Sequence, residues 1–122
     1  MLASFPMNNF FPTKNAEKAR RFYEGVLGLT FVSENPFVAT FRSGQTTIVA
    51  QKMKQFEPVP YTILGWEVKN IEQTVSFLTK SGVVFERFSG MEQDDLGIWK
   101  SPEGKVAWFK DPDGNTLSVS EH

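Results

Sequence analysis

The chain lacks cysteine, has a single histidine and has no excess of either charge. The absence of cysteine excludes disulfides, thiolate metal ligands and a cysteine nucleophile. Its 13 Lys and Arg residues are balanced by 14 Asp and Glu residues, so no strong net field favours nucleic acid or an anionic membrane surface. No basic, apolar leader and no long apolar run occurs, so neither a signal peptide nor a membrane span is indicated and we expect a cytoplasmic protein.

Ring side chains are abundant instead. The chain has 12 Phe and 3 Trp among 122 residues, which is typical of a core or pocket rich in aromatic surface. This length fits one domain and buries enough surface for a core without covalent cross-links.

The sequence contains an internal repeat. Asn15 and Asn70, which lie 55 positions apart, each precede a helical pattern, and Gly28 and Gly82, which lie 54 positions apart, end the two patterns. Asparagine is a favoured N-cap, and glycine readily adopts the left-handed conformation that ends a helix. A strand–helix–strands unit used twice predicts two half-sheets that face each other around one cavity.

The repeat predicts one domain over residues 1–122, built from two modules. We expect module one over about 5–51, a proline-marked linker over about 52–60 and module two over about 61–120. The predicted strands lie near residues 5–12, 29–34, 36–43 and 45–51 in module one, and near 61–68, 83–90, 104–110 and 114–120 in module two.

The second module is longer than the first between its helix-ending glycine and its hairpin glycine. The excess falls in residues 89–103, an acidic stretch that also contains Trp99. This stretch is interpreted either as a lid over the cavity or as a solvated excursion.

The segment from Asp111 to Asn115 is the strongest local signal. Pro112 suits the first central position of a type I turn, and Gly114 can take a positive φ. Asp111 and Asp113 are therefore interpreted as turn formers rather than as a catalytic carboxylate pair.

Three segments resemble the vicinal oxygen chelate superfamily, which includes glyoxalase I, the bleomycin-resistance proteins, fosfomycin-resistance enzymes and extradiol dioxygenases. Residues 15–29 resemble its first helix, residues 67–71 its strand-to-helix junction and residues 106–115 its closing hairpin. The resemblance implies an α+β fold in which two βαβββ modules form a cupped, incomplete mixed β-barrel with the helices outside. It also implies a homodimer.

The same resemblance implies four metal-ligand positions, in the first and last strands of each module. Asn8 stands at or next to one, Ile63 and Ser118 match two others, and residues 45–51 contain no carboxylate or imidazole at the fourth. A divalent ion needs several charged or imidazole donors, so we expect neither a metal nor a cofactor. His122 shares the alternation of Ser118, but as the last residue it is expected to fray into solvent.

Strand alternation predicts the cavity lining. If Ile63 faces the cavity, Tyr61, Gly65 and Glu67 face it too, and the intervening Leu64 packs under a helix. An acid on a central strand is expected to have a raised pKa unless it bonds a neighbouring Lys, Arg or backbone group. The sequence does not show which side of strand 106–110 faces the cavity, so Trp108 and Phe109 are both candidates. The predicted ligand-binding residues are Asn8, Phe10, Tyr61, Ile63, Glu67, Trp99, Trp108, Phe109 and Ser118, and no catalytic residue is predicted.

These observations predict a metal-free binding protein of the glyoxalase and bleomycin-resistance type that sequesters an aromatic or amphipathic small molecule. The alternative is a metal-dependent lyase, transferase, isomerase or dioxygenase of the same superfamily with a displaced ligand set. A third possibility is a regulatory or interaction partner with a vestigial cavity.

Overall fold

The computed structural model describes residues 1–122 as two compact units, Met1–Glu57 and Pro58–His122. A short 3-10 turn, Leu2–Ser4, precedes the first unit's strands. The first unit consists of β1 Asn8–Thr13, α1 Ala16–Arg20 with a π-helical continuation Arg21–Val26, β2 Thr30–Glu34, β3 Val38–Ser43 and β4 Thr46–Lys52. The second unit consists of β5 Thr62–Glu67, α2 Ile71–Lys80, β6 Trp99–Ser101, β7 Gly104–Lys110 and β8 Thr116–Glu121.

The two units repeat one topology. The first sheet has the order β1-β4-β3-β2 and the second the order β5-β8-β7-β6. In each sheet the first and last strands of the module pair in parallel, and the remaining pairs are antiparallel. A parallel pair needs a crossover, and in each unit a helix provides part of it. The predicted α+β class and the two βαβββ modules are confirmed.

Asparagine caps both helices, as the repeat predicts. The Asn15 side chain accepts a hydrogen bond from the Lys18 backbone N–H at 3.0 Å, and the Asn70 side chain accepts one from the Gln73 N–H at 3.0 Å. Each cap satisfies a donor that the first helical turn leaves without an intrahelical partner.

Glycine follows both helices with a positive φ. Gly28 has a φ of 79° and Gly82 a φ of 100°, conformations that a side chain would strain. The first helix reaches its glycine through a wider turn, in which the Leu27 N–H donates to the Phe22 carbonyl at 2.9 Å.

The core of the first unit forms around Tyr23. This residue is fully buried, and its ring centroid lies 4.3 Å from that of Phe11 and 5.9 Å from that of Phe41. Phe11 and Phe41 therefore mark the helix-facing side of the first sheet. Alternation along β1 sends Phe10 to the opposite side, where it is 57% exposed.

Helix α2 covers one face of the second sheet. Ile71 and Val75 are fully buried on it, and the Ile71 N–H donates to the Glu121 carboxylate at 2.9 Å. Lys105 reaches Glu72 on the same helix, with 3.0 Å between its Nζ and the carboxylate Oε2. Lys105 and Glu121 pair with each other and face α2. Every second residue from them along β7 and β8 therefore faces α2 as well.

The prediction of a strand at residues 83–90 is wrong. Only Phe85 forms a bridge there, with Phe109, and the edge strand of the sheet is Trp99–Ser101. The side chain of Gln93 makes hydrogen bonds to backbone groups that would otherwise pair with a neighbouring strand. It accepts from the Phe88 N–H at 2.8 Å and donates to the carbonyl oxygens of Glu86 and Gly97 at 2.8 and 2.9 Å.

Residues 89–103 are partly packed into the second unit. Ile98 is buried, and Asp94 accepts hydrogen bonds from the backbone N–H groups of Leu96 and Ile98 at 2.9 Å each. The segment then enters β6 at Trp99. It is therefore not simply a solvated excursion, because it contributes one core residue and the edge strand.

Asp111 organises the last turn, as predicted. Its carboxylate accepts from the backbone N–H groups of Asp113 and Asn115 and from the Asn115 side-chain amide, each at 2.9 Å. Asp111 and Asn115 are both buried, and Gly114 between them has a φ of 88°. Asp111 is committed to this turn.

Neither helix has the length and apolar character that a membrane-crossing segment requires.

Candidate functional site

The side of the second sheet opposite α2 carries most of the predicted site. In this sheet Trp108 pairs with Ser118, Ser118 with Gly65, and Trp99 with Val106. Directly paired residues project their side chains to the same side of a sheet. We call this side the Trp108 face; it is formed by Thr62, Gly65, Glu67, Trp99, Val106, Trp108, Lys110, Thr116, Ser118 and Ser120.

Three aromatic rings meet on the Trp108 face. The ring of Phe88 approaches Trp108 edge-on with centroids 5.5 Å apart, and Trp99 lies 6.4 Å from Trp108 at an interplanar angle of 39°. Both tryptophans are half-buried. Their remaining exposed surface can stack against a planar ligand.

A pocket of about 200 Å³ opens beside Trp108. Lys110 and Glu86 stand at its margin as an ion pair, with 3.3 Å between the Nζ and Oε1 atoms. The positive charge of Lys110 and the negative charge of Glu86 thus neutralise each other in the lining of the pocket. The lining residues are Pro60, Tyr61, Thr62, Glu86, Phe88, Trp108, Lys110 and Thr116.

Two nearly buried hydroxyl groups lie next to Trp108. Thr116 is 8% exposed and Ser118 is 9% exposed, and no buried side-chain oxygen or nitrogen in this structure lacks a hydrogen-bond partner. Ser118 faces Gly65 so closely that a Cβ added at the glycine would lie 2.8 Å from the serine Oγ. The glycine therefore leaves room for the hydroxyl.

Glu67 lies at the end of the Trp108 face, where its side chain is exposed and its carboxylate accepts hydrogen bonds. It accepts hydrogen bonds from the Ser120 hydroxyl at 3.1 Å and from the His122 backbone N–H at 2.8 Å, and the His122 Nδ1 lies 2.7 Å from its Oε1. The hydrogen bond with the His122 side chain is the main cause that lowers the pKa of Glu67. The expectation that Glu67 is buried is wrong, because Glu67 is exposed. Of the two alternatives for its pKa the second holds, since Glu67 bonds a backbone group, the His122 N–H, and its pKa is lowered rather than raised.

The prediction that His122 frays into solvent is also wrong. Its ring is held by Glu67 and lies over Gly104, where an added Cβ would come within 2.7 Å of the His122 Cδ2. The sequence gives no local sign of this contact, because Glu67 and His122 are 55 positions apart.

Ile63 does not follow the simple alternation assumed for β5. The register shifts between Thr62, which pairs with Thr116, and Leu64, which pairs with Leu117. An irregularity of this kind inserts an extra residue and reverses the alternation beyond it. Thr62 thus joins Gly65 on the Trp108 face, and Ile63 is half-buried at the shift.

The structure separates the two aromatic candidates of β7. Trp108 pairs with Ser118, whereas Phe109 pairs with Leu117, is 1% exposed and lies 5.4 Å from Phe85 between ring centroids. Phe109 is therefore a core residue on the side that α2 covers, and the candidate role at this strand falls to Trp108.

Asn8 and Phe10 belong to the first sheet. They lie on the side of β1 that faces away from Tyr23, and both are exposed. Phe10 pairs with Val49 and Asn8 with Thr47 in the parallel ladder with β4.

The side chains at the metal-ligand positions implied by the family do not suit a divalent ion. Asn8 and Ser118 are neutral oxygen donors and Ile63 has none. No group of three or more His, Cys, Asp or Glu side chains is arranged to hold an ion.

Sequence reasoning missed Phe88 and the ion pair between Lys110 and Glu86. Phe88 and Glu86 lie in a segment that the sequence predicts as a strand but that forms only one bridge, so strand alternation could not give the direction of their side chains. Lys110 is two residues from Trp108 on β7 and therefore lies on the same side of the sheet. The register of β7 against β8 would have been needed to predict which side that is.

Comparison with known proteins identifies the family. The sequence profile of the Glyoxalase/Bleomycin resistance protein/Dioxygenase superfamily matches residues 8–119. This chain belongs to that superfamily. No curated protein matches it in sequence.

Solved structures share the fold at low sequence identity. TnmS3, an antibiotic binding protein from Streptomyces sp. CB03234, has a TM-score of 0.76 and 20% identity, covering 99% of this chain and 98% of its own. A superfamily member from Sphaerobacter thermophilus has a TM-score of 0.76 and 22% identity over 100% of both chains. Lactoylglutathione lyase from Agrobacterium tumefaciens has a TM-score of 0.73 and 15% identity, covering 97% of this chain and 93% of its own.

Proposed function

We propose that this protein binds a small aromatic or amphipathic molecule on the Trp108 face and sequesters it without a metal. The observation that carries the proposal is the combination of two half-buried tryptophans with neutral hydroxyls on one sheet side. Aromatic surface with a few directed polar groups is the usual composition of a small-molecule site. Tyr61 contributes to the same pocket.

The side chains, rather than the fold, favour binding over catalysis. The fold is shared with an antibiotic binding protein and with a lyase, so it is compatible with both activities. The Trp108 face offers no set of carboxylates or imidazoles for metal chemistry, and its one acid, Glu67, is engaged by Ser120 and His122.

The remaining parts of the proposal concern assembly and location. We expect the two modules to act as one domain, the protein to form a homodimer and the dimer to work in the cytoplasm. Size-exclusion chromatography with light scattering tests the dimer; a monomer at micromolar concentration would contradict it.

Ligand-dependent melting with a broad panel of aromatic compounds tests the binding function, and calorimetry then measures the affinity of any compound that raises the melting temperature. We expect Trp108→Ala to weaken binding strongly and Trp66→Ala, on the other side of the sheet, to affect mainly stability. A panel without any binder would contradict the proposal. Stoichiometric Zn, Ni, Mn or Fe in protein purified without chelator would instead favour the enzymatic alternative.

A further inference from the structure

Three lysines line one pocket of the first unit, which we call the lysine pocket. Its volume is about 260 Å³, and no acidic residue lines it. The chain as a whole has 13 basic and 14 acidic residues, so the cluster is a local feature of this pocket. The lining residues are Thr13, Lys14, Ala16, Pro36, Lys52, Met53 and Lys54.

Strand pairing brings the three lysines together. In the parallel ladder of β1 and β4, Thr13 pairs with Lys52 at the end of both strands. The Met53 N–H then donates to the Thr13 carbonyl at 2.9 Å, which continues the pairing by one step. Lys14 and Lys54 directly follow these paired residues. Both therefore lie at the same edge of the sheet, although they are far apart in sequence.

The lysine pocket has an excess of positive charge. The Nζ of Lys52 lies 2.6 Å from the Oε2 of Glu34. The Nζ of Lys14 lies 5.2 Å from the ring centroid of Phe56, a cation–π contact that attracts the ammonium group and leaves its charge in place. Lys54 is exposed and forms no ion pair. Three ammonium groups and the one carboxylate of Glu34 leave an excess of two positive charges.

This excess matches a dianion. A phosphate ester with one organic group carries about two negative charges just above neutral pH, because its second pKa is about 6. Lysine binds phosphate oxygens as a point charge. A carboxylate or a sulfate ester carries one charge and would neutralise half of the excess. The lining also contains apolar side chains, from Ala16, Pro36 and Met53, that can contact the organic group of the ester.

We propose that the lysine pocket binds a phosphomonoester of a small apolar or aromatic group, with Lys14 and Lys54 holding the phosphate. This site is separate from the proposed function, because all of its residues belong to the first unit and the Trp108 face belongs to the second. Lys52 contributes charge while it remains paired with Glu34.

Two-dimensional NMR titration of isotope-labelled protein locates the binding and measures the affinity. Phenyl phosphate is the probe. Phenyl sulfate has the same shape and one charge less, and inorganic phosphate lacks the ring. We expect phenyl phosphate to shift the backbone amides of residues 13–16 and 52–54. It should bind about fivefold more tightly than phenyl sulfate and about threefold more tightly than inorganic phosphate.

Charge-removing variants test the roles of the lysines. Lys54→Gln removes one charge from an exposed side chain and should weaken phenyl phosphate binding about fivefold. Adding Lys14→Gln should bring the loss to about twentyfold. Lys80→Gln is the matched control, since it changes the net charge equally on an exposed residue of α2 outside the pocket. It should leave the affinity within about twofold.

Three results would overturn the proposal. Equal affinity for phenyl phosphate and phenyl sulfate would show that the pocket does not select a dianion. Equal affinity for phenyl phosphate and inorganic phosphate would assign the pocket to the free ion instead of an ester. Amide shifts confined to other residues, or equal weakening by Lys54→Gln and Lys80→Gln, would show that the lysine pocket is not the binding site.

Discussion

Trp108 and Phe109 are consecutive residues of β7 that lie on opposite sides of the second sheet. Trp108 pairs with Ser118 on the side opposite α2, and Phe109 pairs with Leu117 on the side that α2 covers. One peptide bond thus separates the candidate ligand platform from the core, because successive side chains alternate across a strand.

This relationship gives a matched pair of substitutions. Phe109→Ala removes a ring that is 1% exposed and should lower the free energy of unfolding by about 3–5 kcal/mol, the usual cost of a large-to-small change in a core. Trp108→Ala should cost less than half of that and should mainly weaken ligand binding. Urea denaturation and ligand titration on both variants measure the two effects. The reverse ranking of the two stabilities would show that the assignment of sides is wrong.

Asp111 is expected to be a stability residue. Asp111→Ala leaves two backbone N–H groups and the Asn115 amide without an acceptor in a buried turn, and should lower the free energy of unfolding by about 3 kcal/mol. Asp111→Asn keeps one acceptor oxygen and should fall between the alanine variant and the wild type. Urea midpoints of the three proteins provide the measurement, and an alanine variant as stable as the wild type would contradict the role.

Gln93 is expected to hold the segment between residues 86 and 97 in place. Gln93→Ala removes three hydrogen bonds, to Glu86, Phe88 and Gly97, and should increase backbone amide exchange across this segment more than elsewhere. Glu92→Ala, at the exposed neighbouring position, is the matched control and should leave the exchange pattern unchanged. If both variants exchange like the wild type, the side chain of Gln93 does not organise the loop.

His122 is expected to control the ionisation of Glu67. The pKa of Glu67 is lowered mainly by the hydrogen bond with the His122 side chain, so His122→Ala should raise it towards the ordinary value, while the backbone N–H and Ser120 keep part of the effect. Because the folded-state pKa is the lower one, the contribution to stability is present above the unfolded-state pKa. It is lost as the pH falls through the folded-state pKa.

Carbon-detected NMR titration of the Glu67 carboxyl group measures this change. Glu72 is an internal control, since Lys105 is the main cause of its lowered pKa and should maintain it in the variant. A Glu67 titration curve that does not move in His122→Ala would show that the imidazole is not its principal partner.

Local signals were sufficient for the helices and the last turn. Asn15 and Asn70 cap their helices within three residues of their own positions, and Asp111 binds groups no more than four residues away. Such interactions depend on neighbours in sequence, so residue type and spacing predict them. The repeat of these signals also predicted two modules of equal topology.

Signals of strand propensity were not sufficient for the second sheet. Residues 83–90 have the composition of a strand, but the Gln93 side chain bonds to that segment and β6 takes the edge of the sheet at Trp99. The register shift at Ile63 and the alternation of β7 depend likewise on pairing with β8. A strand's own sequence does not specify which neighbouring residue it pairs with.

The sequence by itself therefore determined the family, the order of the modules, the capped helices and the neutral residues at the implied metal positions. Tertiary structure alone decided that Trp108 rather than Phe109 lies on the side of the sheet opposite α2, that Thr116 and Ser118 lie on the same side as Trp108, and that Glu67 is held by His122. The physical reason is distance along the chain. Caps and turns form between residues a few positions apart. The side of the sheet on which Trp108 lies is set instead by pairing with Ser118, 10 positions away, and the partner of the Glu67 carboxylate lies 55 positions away.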